Sequence, residues 1–110
     1  MYISPTKTVT VGVSALNEGA NIAYFLASIL SQRQEGFILE KIIVISDGST
    51  DDTVIAASMV HDARIQIVSH NERRGQPTRM NELFQMVTSD ILIKCDADTI
   101  LQNEYTLSKL

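Results

Sequence analysis

From its amino end the chain alternates short β-branched runs with segments whose apolar residues recur at helical spacing. Thr8–Ser14 (TVTVGVS) is the first strand candidate. Ile22, Phe25, Leu26, Ile29 and Leu30 follow at i, i+3, i+4, i+7 and i+8, the stripe of a helix with one buried face. Lys41–Ser46 (KIIVIS) is a near-continuous apolar run, as a strand covered on both faces requires. A second helix is expected from Asp51 to about His61. Arg64–Ser69 (RIQIVS) alternates more, which suits a strand nearer a sheet edge. Met80, Leu83, Phe84 and Val87 mark a third helix, and Asp90–Cys95 (DILIKC) a fourth strand.

The order β-α-β-α-β-α-β with short connections predicts an α/β protein. Its core would be a Rossmann-like parallel sheet with helices on both faces, joined by right-handed crossovers. No linker, low-complexity stretch or further repeat interrupts that rhythm. Ligands of such sheets bind beyond the carboxyl ends of the strands, where strand order reverses. Four loops follow strand ends here: ALNEGAN, DGSTDD, HNERRGQPTR and DADT. They hold most of the polar and charged side chains of the chain, and that concentration is the first sign of a site.

Composition narrows the partners. With 110 residues this is one small domain or a piece of a larger one, and 45% apolar content is enough for a packed core. A net charge of −4 argues against nucleic acid and against anionic membrane, which recruit basic faces. A single cysteine, Cys95, allows no internal disulfide and fits a reducing compartment such as the cytoplasm. The start MYISPTKTVTV lacks a charged leader followed by an apolar stretch, and no run approaches the roughly 18 to 20 apolar residues of a spanning helix. The piece therefore reads as soluble, without excluding membrane segments in a longer parent.

Each loop has a local-structure reading beside a functional one. In SDGSTDDT, Ser49 and Asp52 form a capping box and Gly48 supplies the turn, which leaves Asp47 at the strand tip unexplained. A carboxylate there would accept the imino N–H of a nucleobase. In DADT, Asp96 and Asp98 repel one another unless a cation relieves them, and hard divalent cations commonly bridge such carboxylates to substrate phosphates. The alternative is an exposed acidic turn. HNERRGQPTRMN brings Arg73, Arg74 and Arg79 around a glycine and a proline, either as a solvated turn capped by Thr78 or to meet a diphosphate or base. In ALNEGAN, Asn17 or Asn21 caps the first helix or contacts ligand, and Glu18 is left over. Cys95 reads as a small core residue. His61 and His70 are not spaced for a metal and carry no catalytic role.

Four stretches in order, VTVGVSALNEGANI, EKIIVISDGSTDDT, NERRGQPTRMNELF and SDILIKCDADTIL, resemble the nucleotide-sugar-binding half of a family-two glycosyltransferase of the GT-A fold. The resemblance spans Val9 to Leu101. It implies strand order 3-2-1-4 and makes residues 1–110 the amino-terminal donor half of a glycosyltransferase domain, with the acceptor half absent. It also implies an inverting transfer of sugar from a nucleotide-diphospho-sugar donor to an acceptor hydroxyl, in polysaccharide biosynthesis. Asn17 and Glu18 would lie beside the nucleoside and Asp47 would read the base. Asp96 would stand near the ribose or a metal-bound water, and Asp98 on Mg²⁺ or Mn²⁺. Arg74, Gly75 and Arg79 would border the nucleotide or diphosphate, and Asn81 would have a local structural role. Two departures stand out: Ser46 replaces the first acid of the common DDGS, and Gln76 replaces a frequent lysine.

The family's general base has no counterpart before Leu110, so the piece alone would bind donor weakly and turn nothing over. The full-length protein would work in the cytoplasm or at the cytoplasmic face of a membrane. An uncovered edge at the fourth strand would favour self-association. Two rivals share parts of the pattern. A haloacid-dehalogenase-like phosphohydrolase would use Asp96 as nucleophile and Asp98 as acid/base, but its motif belongs on a first strand. A receiver-type signalling module needs an acid pair after strand 1, where this chain has ALNE.

Overall fold

The computed structural model describes residues 6–100 and 103–109. The residues Met1–Pro5, at the start searched for a leader pattern, and Leu101, at the end of the last family stretch, lie outside the described residues. The elements run β1 (Lys7–Ala15), α1 (Ile22–Leu30), β2 (Phe37–Asp47), α2 (Thr53–Ser58), β3 (Ile65–His70), α3 (Gln76–Met86) and β4 (Ile91–Cys95), with a final 3-10 turn at Leu107–Lys109. All neighbouring strands pair in parallel and the sheet order is β3-β2-β1-β4, as expected.

Central strands are the apolar ones. β1 and β2 lie inside the sheet, and from Val9 to Ala15 and Ile42 to Asp47 every residue is buried. β3 and β4 hold the edges and are half-buried, in keeping with their looser patterns. One face carries Val9, Val11, Val13, Ile42 and Val44 beneath Ile22, Phe25, Leu26 and Ile29 of α1 and Ala57 of α2. The other face carries Ile43 and Ile45 beneath Leu83 of α3. A Cβ at Gly12 would collide with the Leu83 side chain, so the missing side chain lets α3 lie close on β1.

Two boundaries differ from the sequence reading. β2 begins at Phe37 rather than Lys41. Its first residues alternate (Phe37 and Leu39 buried, Ile38 exposed), and a register shift opposite Val9 and Thr10 hides that alternation from a simple pattern. α2 is shorter than Asp51 to His61, because Asp51 is used outside the helix: its carboxylate accepts the Thr53 N–H at 2.9 Å. At the other end of α1 the buried Gln32 holds the chain's last turn, donating to Asn103 O at 2.8 Å and accepting Leu107 N–H at 3.0 Å.

Candidate functional site

Parallel strands put every strand tip at one rim. Val13 of β1 pairs with both Val44 of β2 and Cys95 of β4, so Asp47 and the Asp96–Asp98 turn emerge beyond the same level. With neighbouring strands about 4.8 Å apart, β2 and β4 stand about 10 Å from each other across β1. Strand order reverses between β1 and β4, which is where ligands of such sheets sit. One small ligand can therefore span the two acidic positions.

The Asp47 corner is the most constrained place on that rim. Asp47 is 4% exposed. Its Oδ1 accepts the Arg74 backbone N–H at 2.8 Å and Arg79 Nε–H at 2.7 Å, and its Oδ2 accepts the Gly75 N–H at 3.0 Å. Burial pushes the acid's pKa up. The Arg74 and Gly75 amides and the Arg79 guanidinium outweigh that effect and hold it below the ordinary carboxylate value. Oδ2, with a single protein donor, keeps accepting capacity for an incoming N–H. Gly48 is in the left-handed region at φ 73°, and a Cβ there would meet the Arg73 backbone, so glycine lets the 72–75 loop fold onto Asp47.

The resemblance implies that Arg79 borders the nucleotide or diphosphate. Its side chain is instead 4% exposed and bound to Asp47, to Glu72 O at 2.6 Å and to Glu82 at 3.5 Å. A guanidinium at the first turns of α3 cannot stay buried without a charge partner, and Asp47 is that partner. Arg74 reaches Asp47 through its backbone. Its guanidinium is exposed and pairs with Glu72 at 3.1 Å. Arg73 is exposed beside Gly48, with no side-chain partner among the described residues. Thr78 does not cap α3; Gly75 holds the cap position and Pro77 lies in the first turn.

The loop after β1 is fastened to the loop after β2. Asn17, in the left-handed region at φ 54°, accepts the Thr50 and Asp51 N–H groups on its Oδ1 at 2.8 and 3.3 Å. Its own N–H donates to Ser49 Oγ, the Glu18 N–H to Thr53 Oγ1, and the Gly19 N–H to Asp51. Asn17 thus braces two loops rather than capping α1, and Asn21 at that cap makes no side-chain cap bond. The Glu18 carboxylate accepts from Asn21 Nδ2 at 3.0 Å and is half-buried at the rim. Ser46 is buried and donates to Ser49 Oγ, which excludes an acid there without a further partner. Sequence reading missed Asp51 as a strut. Its pKa is lowered chiefly by the Thr53 hydroxyl, and the signal lay in its place two residues before a helical threonine.

Across the rim the chemistry is opposite. Ala97 is buried, 4% exposed, and tucks the turn into the core, while Asp96 and Asp98 are exposed on either side of it. The turn is closed by Thr99 N–H donating to Asp96 O at 3.0 Å. Among the described residues neither carboxylate has a hydrogen bond or ion-pair partner, and hard oxygens left free in this way fit a divalent cation. Nor, among the described residues, do three His, Cys, Asp or Glu side chains gather so that they alone could hold a metal ion. A cation on this pair would therefore draw its remaining ligands from water and a phosphate. Cys95 behaves as expected: burial pushes its thiol up, away from nucleophile chemistry.

A parallel sheet of order 3-2-1-4, with a buried amide-bound carboxylate at one strand tip and a D-x-D without partners among the described residues at another, defines the class: an α/β fold with its acids on the ligand-binding rim. Residues 10–110 match Glycosyl transferase family 2, and the chain belongs to that family. The succinoglycan biosynthesis protein ExoU of Rhizobium meliloti (strain 1021) is 32% identical over 97 residues, 86% of this chain and 27% of that protein. The mannosyltransferase PcManGT of Pyrobaculum calidifontis, solved with GDP-Man and Mn²⁺, superposes with TM-score 0.79 at 29% identity over 91% of this chain and 30% of its own. Glucosyl-3-phosphoglycerate synthase of Mycobacterium tuberculosis, solved with Mn²⁺, UDP-Glc and phosphoglyceric acid, gives TM-score 0.74 at 27% identity over 94% and 38%. The chain thus spans about a third or less of the length of the first relatives it matches. These matches support neither the phosphohydrolase nor the receiver reading. No helix among the described residues is long and apolar enough to cross a membrane.

Proposed function

We propose that the chain is the donor-binding part of an inverting glycosyltransferase that takes a nucleotide-diphospho-sugar with Mg²⁺ or Mn²⁺. The observation that carries this reading is the pair Asp96 and Asp98, exposed and without a partner among the described residues, on the rim that also presents Asp47. Asp98 would hold the cation, with Asp96 beside it toward the ribose or a bound water. A bound cation would supply Lewis-acid stabilisation of the departing diphosphate. Asp47 would accept a base N–H on Oδ2, with Glu18 and the Asn17-braced loop bordering the nucleoside. Arg74, with its side chain exposed at the loop, would approach the nucleotide; Arg79 supports the site from below. The base that takes the acceptor's proton is assigned to the full-length protein beyond Leu110. The 110 residues alone would bind donor weakly without turnover.

Two further points belong to this reading. Self-association is expected at β4, an edge strand whose exposed Ile91 borders a groove of about 300 Å³ that Val9, Phe37, Ile93 and Leu107 also line. A strictly monomeric protein in sedimentation at high concentration would count against it. The lone cysteine goes with work in the cytoplasm, at the membrane face or free of it. The donor reading is tested by titrating UDP- and GDP-sugars with and without Mn²⁺ on wild type and Asp98→Ala. Binding that neither the metal nor the substitution alters would overturn it.

A further inference from the structure

Behind Asp47 stands a chain of charged groups that the donor reading does not use. Arg79 Nε donates to Asp47 Oδ1 at 2.7 Å, and Arg79 Nη2 donates to Glu72 O at 2.6 Å. Arg79 Nη1 lies 3.5 Å from Glu82 Oε2, and Glu82 Oε1 lies 2.8 Å from His70 Nε2. His70 is also the cross-strand register partner of Asp47, so the two ends of this side-chain series lie on adjacent strands, β2 and β3, with α3 between them in the series. Exposure rises along it: the Asp47 and Arg79 side chains are 5% and 4% exposed, Glu82 and His70 28% and 31%. The outer end lines an open polar groove of about 510 Å³ with Asn71, Glu72, Arg74 and Thr78.

This arrangement fixes two things at once. The fork of Arg79 ties one carboxylate oxygen of Asp47 and the carbonyl of Glu72 to the same planar group. The carboxylate's rotation and the seat of the 72–75 loop, whose amides complete its shell, are therefore set together. Glu82 sets the position of Arg79 from the far side, and His70 sets Glu82. We propose that Arg79, braced by Glu82 and His70, is a positioning residue for donor binding: it orients the Asp47 carboxylate and its loop without touching the nucleotide. The proposal rests on the reading of Asp47 as the base acceptor. The titratable and charged groups around Asp47 are Arg79 and Glu82 from α3, His70 from β3, and Glu72, Arg73 and Arg74 from the loop.

The test is the affinity of UDP and of GDP, each with Mn²⁺, for wild type, Arg79→Met, Arg79→Lys, Glu82→Gln and His70→Gln, compared as variant-to-wild-type ratios across pH. Melting curves and amide spectra would report the fold of each variant. Arg79→Met is expected to weaken the better-bound nucleotide about tenfold near pH 6. The deficit grows as pH falls, because loss of the guanidinium leaves Asp47 easier to protonate. Arg79→Lys restores most of the affinity. Glu82→Gln, whose side chain is partly exposed, weakens binding about threefold with an unchanged melting temperature, and His70→Gln does so by less. A folded Arg79→Met that binds like wild type at every pH overturns the proposal. Should Arg79→Met not fold, the decision passes to Glu82→Gln, and wild-type affinity in that variant overturns it. If wild type binds neither nucleotide, the donor reading fails first and takes this proposal with it. Nucleotide binding that Asp98→Ala weakens while Arg79→Met leaves it intact sinks this proposal and spares the donor reading.

Discussion

The rim holds acids at two strand tips, and the protein treats them in opposite ways. At Asp47 the chain supplies two amides and a guanidinium, and the carboxylate is 4% exposed. At Asp96 and Asp98 it supplies nothing among the described residues and leaves both in solvent. A charge neutralised from within contributes to the fold and fixes a direction for recognition. Charges left unneutralised contribute nothing to the fold and are free for a cation. On the proposed reading, the difference separates the two jobs of a donor site, reading the base and holding the diphosphate.

The contrast can be broken most forcefully at Arg79. Arg79→Met leaves Asp47 buried without its cation, and a cost of about 3–5 kcal/mol is expected in urea or thermal unfolding. Asp98→Ala should behave in reverse, with the melting temperature unchanged. Mn²⁺-dependent nucleotide affinity should fall about tenfold, as expected for loss of a ligand that the fold does not use. Asn17→Ala removes the acceptor of two loop amides and should cost about 1–2 kcal/mol, measured by the same unfolding curves.

Acid sharpens the comparison. The folded pKa of Asp47 lies below its ordinary value of 3.8, so its ionised form stabilises the native state. That contribution is complete above the unfolded pKa and is lost as pH falls through the folded one, below about pH 4. Asp47→Asn should flatten this acid limb in circular dichroism. The smallest effect is expected far from the rim. Asp62 is lowered to about 2 by its hydrogen bonds to Arg64, yet Asp62→Asn, outside the site, should leave nucleotide affinity unchanged.

The strand order came from the family resemblance, while the placement of Asp47, Asp96 and Asp98 on one rim was readable because parallel βα units force every strand tip to one side. The start of β2 was not, since its register shift interrupts the alternation of Phe37 to Leu39. Nor was the end use of Asn17 and Arg79. Polar residues in strand-tip loops can face ligand or neighbouring loop with the same sequence pattern. The tertiary partners decide: Thr50 and Asp51 amides for Asn17, Asp47 for Arg79. In a loop rich in arginine, the one on the helix face that meets the sheet is the one that becomes buried.

The most direct measurement uses Mn²⁺ as a paramagnetic probe, following amide signals of the chain with UDP or GDP present. Signals of residues 96–99 should broaden first and most, and Asp98→Ala should abolish the effect. Broadening centred instead on Glu72 and Glu82, or unchanged in Asp98→Ala, would contradict the division of labour between the two acidic tips.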